Sequence, residues 1–123
     1  MKQPQKLNPN GPAGALESIT VVDPATVTDG KAVETGASYM GDDGDSLLVG
    51  IWDCTPYAEV FMAEAEGYPA DEFCQVLQGS VTLTAADGTA QTFSAGDSYV
   101  LNKGWCGEFR VNEPFRKYYV MAA

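Results

Sequence analysis

The chain has 123 residues, contains no histidine, and carries seventeen acidic against seven basic residues for a net charge of −10. That length suits one domain with one modest core, and the charge argues against nucleic acid or an anionic membrane as a partner. Without histidine, Ser-His-Asp and Cys-His mechanisms and His-based zinc sites are excluded. Three cysteines, an odd number, suggest free thiols in a reducing cytoplasm rather than a disulfide framework. No apolar run approaches the ~20 residues of a membrane span. Met1-Lys2-Gln3-Pro4 leads into no apolar stretch of a secretory signal.

In chain order, residues 1–14 carry Pro4, Pro9, Gly11, Pro12 and Gly14. They predict a flexible or extended arm, or one that lies along a neighbouring subunit. Residues 15–123 form the domain proper. Residues 18–22 predict a first strand, stopped by Asp23-Pro24. Residues 29–45 are rich in Gly, Asp, Ser and Thr and carry no predicted strand. Within them, Gly41-Asp42-Asp43-Gly44-Asp45 lacks the spaced ligands and closing glutamate of a calcium loop and reads as a solvated turn. Residues 46–54 are the first strong strand. Residues 57–63 follow the breaker Pro56, with Tyr57, Glu59, Phe61 and Ala63 alternating with Ala58, Val60 and Met62. Both faces carry apolar groups, as in a strand sandwiched within a barrel. Residues 64–70 form the loop that follows.

The stretch 71–107 is the most informative. Asp71-Glu72-Phe73-Cys74-Gln75-Val76-Leu77-Gln78-Gly79 is followed by Ser80-Val81-Thr82-Leu83-Thr84 and the turn pair Asp87-Gly88. Residues 82–92 predict a hairpin, with Asp87-Gly88 supplying the positive φ angles of a two-residue primed turn. Gly96-Asp97 marks a second turn between Phe93 and Tyr99. Residues 106–111 predict another strand, and 115–121 a last one with Phe115, Lys117, Tyr119 and Met121 on one face. Many short strands with regular turn signals and no long helix indicate an all-β barrel or jelly roll.

Glu72 lies seven residues before Gly79, and Gly96, Gly104 and Gly107 keep a fixed spacing. These residues resemble the two conserved motifs of cupins. The chain resembles in particular the small single-domain DUF861, or cupin_3, family. That group is related to the ethanolamine-utilisation cupin and to ureidoglycine aminohydrolase domains. Trp52-x-Cys54-Thr55-Pro56, Asp71-Glu72-Phe73, Lys103-Gly104 and Arg116-Lys117-x-Tyr119-Val120 add to the match. The resemblance spans roughly residues 46–121. It implies an RmlC-like, antiparallel double-stranded β-barrel, and a homodimer packed through outer sheet faces, where Phe73 and Leu77 would be buried. The usual histidine positions fall on Glu66 and Tyr68, or on Ala65 and Gly67, and on Gly107. Of the usual metal set only Glu72 remains. No cofactor is therefore expected, and a divalent metal held by carboxylates or thiols is the less favoured alternative.

If Glu72 faces the interior, as the resemblance implies, then Cys74 and Val76 face inward and Phe73, Gln75 and Leu77 outward. Phe109 and Val111 point in with Gly107, giving a drier and smaller interior. A carboxylate there takes a raised pKa unless a cation or hydrogen-bond donors meet it. Glu72 and Lys117 are the candidate catalytic residues, set against a purely structural pairing of Lys117 with an acid. Trp52, Tyr57, Glu66, Cys74, Phe109 and Tyr119 are the candidate ligand-binding residues, set against simple core roles. The function expected is binding of a small polar metabolite in the barrel. The alternative is a lyase, hydrolase or isomerase acting on a ureide, amine or sugar-like acid through Glu72.

Overall fold

The computed structural model describes residues 3–123. Through them run eleven strands: β1 (Glu17–Ile19), β2 (Val27–Gly30), β3 (Glu34–Met40), β4 (Leu47–Cys54), β5 (Tyr57–Phe61), β6 (Asp71–Gln78), β7 (Ser80–Ala85), β8 (Ala90–Ser94), β9 (Ser98–Leu101), β10 (Gly107–Val111) and β11 (Phe115–Ala122). One sheet has the order β1-β3-β4-β11-β6-β9, the other β2-β5-β10-β7-β8. Every pairing is antiparallel. Helical structure among the described residues is limited to two 3-10 turns, Pro24–Thr26 and Ala63–Ala65. This is the expected jelly roll. It follows from period-2 patterning: on β6 the exposed Asp71, Phe73 and Gln75 alternate with the buried Glu72, Cys74 and Val76.

The two sheets close over a core that is densest at one end. There Cys54, Val76, Val81, Val111 and Phe115 are fully buried, where β4, β6 and β10 end and β7 and β11 begin. Gly79 forms the β6–β7 turn at this end with φ +76°. A Cβ there would sit 2.2 Å from the Pro114 carbonyl oxygen, so only glycine fits.

Three features differ from the sequence expectation. Residues 29–45 contain the seven-residue β3, which pairs with β4 across a register shift between Ser38 and Met40, and the end of β2. Glycine and serine weaken the local strand signal, but β3 is held on both sides, by β1 and β4. The hairpin at 87–88 is not a two-residue primed turn. Gly88 (φ +90°) has positive φ and Asp87 does not. The Gly88 amide donates to Ala85 and the Ala85 amide to Thr89, so a longer turn closes on glycine. Residues 8–11 are tied to their own chain rather than left as a loose arm. The Asn8 amide donates to Tyr39 Oη at 2.9 Å, Tyr39 Oη donates back to the Asn8 carbonyl, and Arg116 donates to the Pro9 carbonyl at 2.7 Å.

Candidate functional site

At the barrel end opposite the packed core, a cavity of about 440 Å³ opens between the sheets. Loss of the histidines has not filled the interior. Six aromatic rings wall it: Trp52, Tyr57, Phe61, Tyr68, Phe109 and Tyr119. Ile19, Val21, Val22, Leu48 and Met121 complete a mainly apolar lining, drier than a wholly polar ligand would call for. Gly50, opposite Tyr119 on β4, makes room for that ring: a Cβ there would collide with the Tyr119 hydroxyl.

The polar centre is Glu72, 3% exposed. Its Oε1 accepts from Lys117 Nζ, Tyr68 Oη and Cys74 Sγ, each at 3.0 Å. β6 and β11 are neighbours, so Glu72 and Lys117 enter from adjacent strands on the same face. Lys117 Nζ also lies 5.2 Å from the Trp52 ring centre and 5.7 Å from that of Phe109, which suits a cation held among aromatic faces. Burial works against charge on Lys117, but its surroundings, with the Glu72 carboxyl at 3.0 Å, outweigh burial and hold the amine above its ordinary pKa. It stays an ammonium and is poorly suited to Schiff-base chemistry. Burial, opposed by Lys117, pushes the Cys74 thiol up to about 12, so it is a weak donor rather than a nucleophile. Burial likewise raises the Tyr68 phenol. Glu72 Oε2 receives none of the three donors.

Two further buried carboxyl groups lie close by, Glu59 in the cavity lining and Glu34 behind Trp52. Glu34 on β3 accepts from Trp52 Nε1 at 2.9 Å and from the Val21 and Val22 amides, fixing the indole and the 21–22 segment. Glu59 on β5 accepts from Tyr57 Oη and lies 3.1 Å from Thr26 Oγ1. Burial is the first cause that raises the Glu59 pKa above its ordinary value.

Of the predicted site residues, Glu72, Lys117, Trp52, Tyr57, Phe109 and Tyr119 line one cavity. Cys74 lies behind Glu72 and is fully buried. Glu66 is a correction. It caps the 63–65 turn in a left-handed conformation (φ 68°) and is exposed, outside the cavity. Tyr68, two residues on, takes the inward place and packs edge-on against Phe61 at 5.0 Å. Its position four residues before Glu72, on a motif histidine, was the available signal. Glu34 was hidden because β3 was not predicted. Leu77, expected outward beside Phe73, is half-buried at the β6–β11 register shift.

A cupin barrel implies a metal held by imidazoles and a glutamate, and the residues present do not fit one. Lys117 occupies the position beside Glu72 that a cation would need. At Gly107 a Cβ would lie 2.2 Å from the Thr84 carbonyl oxygen, so no side chain could project there. Among the described residues no three Cys, Asp or Glu side chains converge as ligands.

The family model described as the EutQ-like cupin domain matches residues 41–119. The chain belongs to the EutQ-like cupin family. Among solved structures, this EutQ-like cupin is similar to a DUF861-family protein of Pseudomonas syringae pv. tomato, with TM-score 0.77 and 21% identity over 87% of this chain and 44% of that one. It is similar to Clostridium difficile EutQ, with TM-score 0.59 and 20% identity over 74% and 63%. It is also similar to the polyketide cyclase RemF of Streptomyces resistomycificus, with TM-score 0.64 and 14% identity over 98% and 80%. The chain spans under half of the first and under two thirds of the second. At these identities the likeness is one of fold. No curated protein matches the chain.

Proposed function

We propose that this EutQ-like cupin binds a small organic molecule inside its barrel, without a metal. The observation that carries this is the open, aromatic-walled cavity with the Glu72–Lys117 pair in its wall. Such a site suits a ligand with an apolar body and one polar end, which meets Glu72 Oε2. This amends the expectation of a fully polar metabolite. A catalytic reading, as a lyase, hydrolase or isomerase with Glu72 as base, is supported by two carboxyl groups held in different surroundings, Glu72 beside an ammonium and Glu59 beside a phenol.

The test is a screen of small metabolites by NMR, following the Trp52 indole N–H. A Leu48→Trp variant that fills the cavity is the control. Ligands that shift Trp52 in the wild type and not in the variant support the reading. If no member of the library moves Trp52, Phe109 or Tyr119, the cavity is not a binding site.

The quaternary reading is a homodimer through the outer face of the six-stranded sheet. One cross-strand row supports it, Val100–Phe73–Val120–Val49–Met40, drawn from five neighbouring strands and free of charge. Met40, Phe73, Val100 and Val120 are all exposed in the single chain. In a protein of net charge −10, an uncharged row is where two copies meet with least repulsion. The compartment is read as the cytoplasm, supported by three free cysteines. No helix among the described residues is long and apolar enough to cross a membrane.

A further inference from the structure

Thr26 Oγ1 carries one proton and stands between two oxygens, the Asp23 carbonyl at 2.9 Å and Glu59 Oε1 at 3.1 Å. A carbonyl oxygen only accepts. If the threonine proton went to Glu59, the Asp23 carbonyl and the hydroxyl oxygen would face each other at 2.9 Å with no hydrogen between them. Both contacts are hydrogen bonds only when Thr26 donates to Asp23 and Glu59 donates to Thr26. The other Glu59 oxygen accepts from Tyr57 Oη. The chain then runs in one direction: Tyr57 to Glu59, Glu59 to Thr26, Thr26 to Asp23.

The surroundings agree. Glu59 is 6% exposed, and among the described residues no cation pairs with it. On its own strand it faces Tyr57. Asp23 precedes the 3-10 turn that carries Thr26, and Glu34 approaches from β3. Both add negative charge. Cys54 approaches from β4 as a thiol, since burial pushes it up to about 12. Phe109, opposite on β10, is apolar. The cavity's one cation, Lys117, is already bound to Glu72.

Resting on the reading of this cavity as a ligand site, we infer that Glu59 stands in it as an uncharged carboxylic acid, and that the site prefers an uncharged ligand bearing a carbonyl or amide oxygen over a cationic amine. With Glu59 neutral, the charges of Glu72 and Lys117 cancel. A ligand ammonium at Glu59 would enter a mainly apolar space with no buried counter-charge beside it, because the other lining carboxylates, Asp23 and Asp43, lie exposed at the rim. A carbonyl oxygen loses less on entry and can take the Glu59 O–H by displacing Thr26, which keeps its own bond to Asp23. Glu59 is then a specificity-determining residue.

Two measurements on the full chain test this. In protein labelled with ¹³C at the glutamate side-chain carboxyl, one carbon should keep the shift of a neutral acid at pH 7 and be missing from E59Q. Benzamide and benzylamine, matched in ring and size, are then titrated while the Trp52 indole N–H is followed. Benzamide should bind at least about tenfold more tightly, equivalent to about 1.4 kcal/mol. A wild-type spectrum with no neutral glutamate overturns the inference at its base, whatever binds. A neutral Glu59 with benzylamine bound as tightly as benzamide overturns the selectivity. A neutral Glu59 with neither probe bound overturns the ligand-site reading, and the selectivity with it, and leaves the protonation as measured.

Discussion

Lys117 Nζ lies 3.0 Å from Glu72 Oε1, with Lys117 5% and Glu72 3% exposed. The two charges are shielded from water and from salt, so each depends on the other. Tyr68 and Cys74 add donors to the same oxygen, but neither can replace the positive charge. Lys117 thus takes the place beside Glu72 that a metal ion would need, and the two charges balance each other.

Removing one partner should therefore be much worse than removing both. Lys117→Met is expected to lower stability by about 3–5 kcal/mol. That is a large share of the total for a domain of this size. Adding Glu72→Gln to Lys117→Met should restore a good part of the loss. Urea unfolding of both single variants and the double variant gives the coupling. Additive losses would show that the pair is not coupled.

Glu59 makes a prediction about pH with a definite sign. Its folded pKa is raised, with burial the first cause, while an unfolded glutamate titrates near roughly 4.3. The folded state therefore binds this proton more tightly than the unfolded chain. The stabilisation is fully present below the unfolded value and is lost as pH rises through the folded one. Glu59→Gln keeps one acceptor and one donor and removes the titration. The stability of wild type minus variant should fall as pH rises above about 4.3. A difference that stays flat to neutral pH would contradict the raised pKa.

The uncharged outer row should govern association. Phe73→Asp or Val120→Asp puts a charge in its centre without touching the interior, because both residues face away from the barrel. Sedimentation at micromolar concentration should find the wild type dimeric and either variant monomeric, with melting of the barrel little changed. A monomeric wild type would remove the dimer from consideration.

The three thiols should react in a set order. Cys106 is partly exposed, while Cys54 and Cys74 are fully buried and burial pushes each up to about 12. Iodoacetamide on the folded protein should modify Cys106 alone, and the other two only after denaturation. Mass spectrometry of tryptic peptides reads this directly. Early loss of Cys74 would mean that the floor of the cavity opens far more often than its packing allows.

The alternation in 71–76 and 115–121 by itself determined which residues of β6 and β11 share a face, because side chains reverse with every residue along a strand, and it failed only at Leu77, where the register shifts. That the Glu72 face is the inward one came from the resemblance to cupins carried by Glu72, Gly79, Gly96 and Gly104, and the structure places Glu72 and Lys117 inside. The tertiary structure decided what those residues meet. Glu66 and Tyr68 are equivalent by spacing, and only the left-handed backbone at Glu66 turns one out and the other in. Glu34 gained its place from pairing partners on both sides of a strand whose own residues barely favour one. Glu59 sits on a strand of the opposite sheet, and its two carboxyl oxygens meet Tyr57 and a threonine 33 positions earlier in the chain. A strand's facing is set by its own few residues. Convergence of side chains from two sheets depends on how the barrel closes, which no local stretch encodes.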